Sequence, residues 1–364
     1  MSRSVALVIS SLEPGGAERV VAVLTSLWAE KGWRVTVVTL SAKSSDHYSL
    51  HPRVTRIALN MIASSRGLCH ALRTNWKRVA ALRAALHSIR PDIVVSFVTQ
   101  TNVIVLAALL ATRVPVIVSE RVDPRAHDIG LVWRLGRLLL YRRASAIVVQ
   151  TRSVVAWART VVPLRKIWVI PNPARKLHEP TRPRDDTIVL AAGRLEKRKG
   201  FDVLLEAFAV SRLIQRGYRL VILGEGPERG ALVSLAARLG IVSAVDMPGL
   251  ESSPEEWMER ASVFVLPSRY EGFPNVLVEA MAMGCAVIAA DCPSGPNEII
   301  RDGEDGLLVA PEDHMALSAA LKRLLEDDAL RQRLGRAAVA VRHRFSPEGV
   351  LDQWETAINA AIRA

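Results

Sequence analysis

Two glutamates, Glu271 and Glu279, bracket the segment Glu271-Gly272-Phe273-Pro274-Asn275-Val276-Leu277-Val278-Glu279. Carboxylates so placed can do two kinds of chemistry. They can cleave a glycosidic bond as a pair, or they can accept hydroxyl groups of a bound sugar. Their setting favours the second. Glu271 follows the apolar run Val263–Leu266 and falls in a loop, while Asn275 is expected to cap the next helix and to set Glu279 about one turn inside it. A carboxylate there can accept both hydroxyls of a ribose. The loop carboxylate can hold hydroxyls of a second sugar, with the helix N-terminus turned to phosphate.

A cationic loop adds to that reading. Gly193-Arg194-Leu195-Glu196-Lys197-Arg198-Lys199-Gly200 lies between a strand and a helix, and five of its eight residues are charged, four of them positive. A diphosphate gains charge as its bond to a sugar breaks. Cations fixed in advance stabilise that charge, and an arginine adds bidentate geometry. Alone, the loop also fits a solvated charged turn. Gly15-Gly16-Ala17-Glu18-Arg19 holds the corresponding place near the start of the chain. Glycine there lets a ligand approach the backbone, and the helix N-terminus offers unpaired N–H groups to phosphate. The segment lacks the Lys-Ser/Thr pair of a P-loop, and many strand-to-helix turns use paired glycines with no ligand.

Alternating elements must carry these loops. In the first half, Val5–Ser10, Val35–Leu40, Ile57–Leu59, Ile93–Phe97, Val116–Ser119 and Ala146–Gln150 read as strands, the third of them weak, and Ala17–Lys31 as a helix ended by Gly32. A second series runs from strand Ile188–Ala192 through helix Phe201–Val210, strand Arg219–Leu223, helix Pro227–Leu239, strand Val263–Leu266, helix Asn275–Met283 and strand Ala286–Ala290. The pattern predicts an α/β protein of two tandem doubly wound domains with parallel sheets. Their expected extents are residues 1–175 and 176–348, joined through the proline- and charge-rich stretch 171–184. A last helix in 349–364 could pack back on the first domain. Such domains leave a cleft between them, with ligands at the carboxyl ends of the strands.

Composition sets limits. The chain has 364 residues, half of them hydrophobic, which excludes a largely disordered protein and suits two cores. Three cysteines without a Cys-x-x-Cys pair point to a reducing, cytoplasmic setting, and eight scattered histidines give no metal-ligand spacing. No apolar run reads as a membrane span or a signal peptide. Charge is uneven: residues 1–175 hold 25 Lys/Arg against 8 Asp/Glu, a net +17, and residues 176–364 hold 23 against 28, a net −5. Leu68–Ile89 reads as a helix with Trp76, Val79, Leu82, Leu86 and Ile89 on one stripe beside Arg73, Lys77 and Arg78. Val132–Arg143 mixes leucines, Trp133 and Tyr141 with four arginines. Taken singly, each is expected to pack its apolar face on a sheet. Together, in so basic a half, they could lie on an anionic membrane surface.

The combination resembles glycosyltransferase family 4, whose fold is the two-Rossmann GT-B arrangement. The resemblance covers most of the chain. It rests on Glu13–Arg19, on Gly193-Arg194-Leu195 with Lys199-Gly200, on Gly224-Glu225-Gly226-Pro227, on the span from Glu271 to Glu279, and on Gly303–Val309. It implies a retaining, metal-independent transferase with no cofactor, its nucleotide sugar being substrate. Gly15 and Gly16 would approach the donor, Arg194 and Lys199 would hold its diphosphate, and Glu271 would bind its sugar hydroxyls, these last three as the catalytic set. Phe273, Pro274 and Asn275 would supply backbone contacts, the N–H groups of Val276 and Leu277 would face phosphate, Glu279 would bind the ribose, and Asp246–Leu250 would lie near the base.

Ser119–Pro124 and Asp291–Ile300 resemble bacterial transferases that extend lipid-linked oligosaccharides or polysaccharide repeat units. The donor implied is a UDP-hexose or UDP-N-acetylhexosamine. The acceptor implied is a polyprenyl-diphosphate-linked glycan at the inner face of the cell membrane, where the protein would sit peripherally. In one respect the chain departs from the family. Many members place a histidine where Glu120 and Arg121 stand here, and His127 follows later. The alternatives are a sugar-nucleotide epimerase on the same fold and a nucleic-acid-binding protein. No zinc finger, helix-turn-helix or aromatic-rich strand motif supports the latter, and nucleic acid is not expected as a partner.

Overall fold

The computed structural model describes residues 3–62, 68–125, 129–178 and 184–363, with the backbone alone at 68–72. They form two compact units, one of residues 1–173 and 347–364, the other of residues 174–346.

The first unit is built on seven parallel strands: β1 (Ser4–Ile9), β2 (Arg34–Thr39), β3 (Thr55–Ala58), β4 (Ile93–Phe97), β5 (Val116–Ser119), β6 (Ala146–Val149) and β7 (Ile167–Val169). Their order is β3-β2-β1-β4-β5-β6-β7. Its helices are α1 (Gly16–Glu30), α2 (Leu68–Ile89), α3 (Thr99–Ala108), α4 (Leu131–Leu140) and the short α5 (Val155–Ala158). Strand residues are apolar on both faces because helices cover both.

The second unit has six parallel strands: β8 (Asp185–Ala192), β9 (Arg219–Leu223), β10 (Val245–Gly249), β11 (Ala261–Leu266), β12 (Ala286–Ala290) and β13 (Leu307–Val309). Their order is β10-β9-β8-β11-β12-β13. The helices are α6 (Phe201–Ser211), α7 (Arg229–Arg238), α8 (Pro254–Arg260), α9 (Asn275–Ala282), α10 (Pro296–Ile299), α11 (His314–Glu326), α12 (Asp328–Ala338) and α13 (Val341–Arg344). The chain then returns to the first unit as α14 (Pro347–Arg363).

Alternation within the strands explains the layers. Val5, Leu7 and Ile9 of β1 face one side, with Trp28 of α1 and Trp354 of α14, while Ala6 and Val8 face the other, with Leu82 of α2 and Ile104 of α3. Trp354 is fully buried, its ring 5.9 Å from that of Phe97, and Lys31, just after α1, pairs with Glu355 at 2.9 Å. Burying one such large apolar side chain stabilises the fold by roughly 1.5–3 kcal/mol, and the exposed ion pair by less than about 1 kcal/mol, so the apolar seam holds α14 in place.

Several readings need correction. The strands β7, β10 and β13 had no expectation at all. Of the leucines of α4, Leu140 packs against the core. Leu131, Val132, Leu135, Leu138 and Leu139 are exposed, and Arg137 is the buried residue. In α2, Leu82 and Leu86 enter the core as the stripe requires, but Trp76 stands out from it. Among the described residues no helix is long and apolar enough to cross a membrane.

Candidate active site

The second unit places its cationic loop and its glutamate loop side by side. β8 and β11 are neighbours, and the chain runs outward from β8 on one side and from β11 on the other. Their carboxyl ends therefore form the switch point at which open α/β sheets bind ligands. The loop after β8 ends in a 3₁₀ turn, Lys197–Lys199, and then in Gly200 at φ +65°. A Cβ at Gly200 would stand 2.1 Å from the Pro267 carbonyl oxygen, so glycine alone lets this loop close on the one that follows β11.

Arg269 clamps the two together. Its backbone N–H donates to the Arg198 carbonyl at 2.8 Å and its guanidinium to the Lys197 carbonyl at 2.5 Å. The same guanidinium pairs with Asp202 at 2.8 Å and Glu312 at 2.6 Å. The hydrogen bonds to Asp202 are the largest cause holding the Arg269 guanidinium above its usual pKa.

The result is a supported carboxylate. Lys199 Nζ lies 2.5 Å from Glu271 Oε1, Ser268 Oγ donates to the same oxygen at 2.7 Å, and an Arg198 nitrogen lies 3.8 Å from Oε2. The Ser294 hydroxyl donates to the Glu271 backbone carbonyl. Glu271 is buried, so the carboxylate has little freedom to move. Nearby, burial and then the charge of Glu271 push the Cys292 thiol up to about 12, which makes it inert as a nucleophile near neutral pH.

The remaining expected residues divide. Arg194 is exposed and held by Glu196 at 2.9 Å, with Arg198 on the other oxygen of Glu196 at 2.8 Å. Glu279 is buried within α9. Phe273 is buried edge-on to Phe345, 5.3 Å between ring centroids. Asn275 is not the cap: Pro274 occupies that position and Asn275 is the first helical residue. The Leu277 N–H donates to the Pro274 carbonyl at 3.0 Å, so it is engaged in the first turn of α9. Asp246–Gly249 lies in β10, with Leu250 exposed just beyond it.

Gly15 and Gly16 belong to the first unit. Gly15 precedes α1 in extended conformation, its carbonyl accepting from the Tyr48 hydroxyl at 3.1 Å. Its φ is an extended one that any residue adopts.

The first unit has its own polar group at the carboxyl ends of β4 and β5. Val98 follows β4 at φ +72°, a strained value for a β-branched residue. Beside it, the buried Glu120 accepts from the Thr99 hydroxyl at 2.8 Å and from the Tyr141 hydroxyl, and burial raises its pKa. Arg121 is buried, donates to Ser119 Oγ and to Asn172 Oδ1, and is lowered to about 9, chiefly by burial. His127 lies outside the described residues. Among the described residues no three His, Cys, Asp or Glu side chains converge as metal ligands would.

The residues missed by sequence reasoning are Arg269 and Ser268, whose only signal was their place between β11 and Glu271. Ser294 also supports Glu271, through the latter's backbone carbonyl.

Residues 15–173 match the family described as Glycosyl transferase 4-like domain, and residues 174–340 the one described as Glycosyl transferases group 1. The chain belongs to glycosyltransferase family 4. This transferase is 28% identical, over 96% of both chains, to a Campylobacter jejuni alpha-1,4-N-acetyl-D-galactosaminyltransferase whose name gives a glycan on PP-undecaprenol. In structure it is similar to sucrose-phosphate synthase from Thermosynechococcus elongatus, with TM-score 0.86 and 23% identity over 98% of both chains. It is likewise similar to Anabaena HepE in complex with UDP, with TM-score 0.79 and 18% identity over 98% of this chain and all of that one. The fold of the transferase is GT-B.

Proposed function

We propose that this glycosyltransferase moves a hexose or N-acetylhexosamine from a UDP-linked donor to a polyprenyl-diphosphate-linked glycan. We propose further that it does so with retention of configuration, without a metal ion, and at the inner face of the cell membrane. The observation that carries the reading is Glu271 held by Lys199 and Ser268 at the switch point of the second sheet. The undecaprenyl-linked substrate named for the Campylobacter relative supports the acceptor class, and the UDP bound by HepE supports the nucleotide.

The site's chemistry follows from its charges. Glu271 accepts hydroxyls of the donor sugar and fixes its orientation. Lys199, already beside that carboxylate, meets the β-phosphate, and Arg194 leaves Glu196 to reach the same group. As the bond from the anomeric carbon to the phosphate oxygen breaks, the electron pair stays on UDP and these two cations stabilise it. The anomeric carbon bonds to the acceptor hydroxyl oxygen on the face that the phosphate leaves, and the proton of that hydroxyl passes to the departing UDP phosphate oxygen. Glu279 takes the ribose hydroxyls.

Incubation with a panel of UDP-sugars and lipid-linked acceptors, with EDTA present, tests the reading. An α-linked product from an α-linked donor supports it. An inverted linkage, a requirement for added divalent metal, or transfer from GDP-sugars alone contradicts it.

A further inference from the structure

The helix α4 is turned inside out for a surface helix. Leu131, Val132, Leu135, Leu138 and Leu139 are each between 45% and 68% exposed. Their spacing, i, i+1, i+4, i+7 and i+8, puts them on one face. The opposite face is fixed in the protein. Trp133 and Leu140 pack on the core with buried Tyr141, and the buried Arg137 lies over the Trp157 ring at 4.9 Å. A Cβ at Gly136 would lie 2.8 Å from Val103 of α3, so the glycine seats α4 closely on that helix. Rotating the leucines inward would take Arg137 and Tyr141 out of their contacts. The exposed leucine face is therefore the built orientation.

Charge surrounds this face. Arg134, Arg142 and Arg143 are exposed on or just after α4, and no Asp or Glu occurs between Asp128 and Glu179. The helix α2 packs on α3 as α4 does and shares the core beneath it. It presents Trp76, 75% exposed, among exposed Arg73, Lys77 and Arg83. No Asp or Glu occurs between Asp46 and Asp92. One side of the first unit thus offers leucines and a tryptophan ringed by cations.

We infer that the α2–α4 face docks on an anionic lipid bilayer, with the leucines of α4 entering the interface and the arginines meeting lipid phosphates. Aliphatic side chains with flanking cations and an interfacial aromatic fit a bilayer surface. A second copy fits poorly, because pairing this face with itself opposes like charges. The inference deepens the proposed function by naming where the transferase meets the membrane that holds its acceptor, and it rests on that reading for its purpose.

Flotation of the full chain tests it, using vesicles of phosphatidylcholine with and without phosphatidylglycerol. UDP titration is run on every variant as an independent readout. The wild type floats with the anionic vesicles, less so at high salt. Leu135→Gln with Leu139→Gln lowers the floating fraction about tenfold, and Arg134→Gln with Arg142→Gln lowers it for anionic vesicles alone, with UDP affinity unchanged in both. A wild type that stays unbound to both vesicles overturns the inference. So does a leucine variant that floats as the wild type does, or a wild-type dimer in sedimentation that the leucine substitutions disperse. If the wild type floats as expected but binds no nucleotide, the docking surface stands and the donor reading falls.

Discussion

The two units treat the charges at their strand ends in opposite ways. In the second, Lys199 and Glu271 neutralise each other, and Arg269 finds two carboxylates. In the first, the buried neighbours Glu120 and Arg121 bond to hydroxyls and an amide, with no carboxylate–guanidinium pair between them and with the Arg121 Nε left without a hydrogen-bond partner. A paired site can exchange one partner for a substrate charge without stranding the other in a dry interior. A buried charge without a contact ion pair instead shifts its pKa through desolvation, only partly offset by more distant Arg137 for Glu120 and Glu18 for Arg121: Glu120 upward and Arg121 down to about 9. The difference teaches that the second unit is arranged to trade ionic contacts and the first to hold polar side chains in fixed positions.

Breaking the paired site should have the largest effect. Glu271→Gln keeps the shape but removes the charge facing Lys199, and we expect transfer to slow by about 10²-fold or more, since a preorganised polar contact is lost. Steady-state rates with a thermal melt alongside check this; a full-speed variant breaks the comparison. Next is Gly200→Ala. Its left-handed φ and the Pro267 carbonyl 2.1 Å from the added Cβ predict a loss of about 1–3 kcal/mol in denaturant unfolding, together with weakened donor binding. A variant as stable as the wild type would show that the two loops are not seated by this glycine.

Arg269→Gln comes third. Its partners are partly exposed, so we expect a stability cost of only about 1 kcal/mol, but a larger rise in KM than fall in kcat as the Lys197–Lys199 turn loosens.

Glu120 and Arg121 give the smallest effects, read as slopes. Between the ordinary carboxylate pKa and the raised one, folded Glu120 holds a proton that the unfolded chain has released. Stability therefore falls as pH rises through that window. For Arg121 the sign reverses. Between about 9 and the ordinary arginine value the unfolded chain holds more protons, and stability rises with pH. Glu120→Gln should flatten the first slope and Arg121→Met the second, in chemical unfolding repeated across pH. Unchanged slopes would assign them to other groups.

Much of the fold was legible because strand, turn and helix leave separate marks. Apolar runs with β-branched residues gave the central strands, and glycine after them gave the loops that carry Lys199 and Glu271. The omitted strands β7, β10 and β13 all lie at sheet edges, where one side has no neighbour and three to five residues suffice. Asn275 misled because its side chain suits a cap, yet Pro274 before it sets the backbone at the helix start. Arg269 belongs to no glycine motif, and its worth comes from contacts with residues as distant in sequence as Asp202 and Glu312. For α4 the sequence carried the amphipathic period but not its direction. Which face turns inward was decided by Gly136 against Val103 and by Arg137 over Trp157, contacts that no period encodes.

The central claim is that Lys199 beside Glu271 marks the donor site. Calorimetric titration of UDP, GDP and ADP into the wild type and into Lys199→Ala tests it most directly. The account predicts selective UDP binding by the wild type, unaffected by EDTA, and affinity weakened about tenfold or more in a variant that melts as the wild type does. Equal UDP affinity in the two proteins, or no nucleotide binding by the folded wild type, would contradict it.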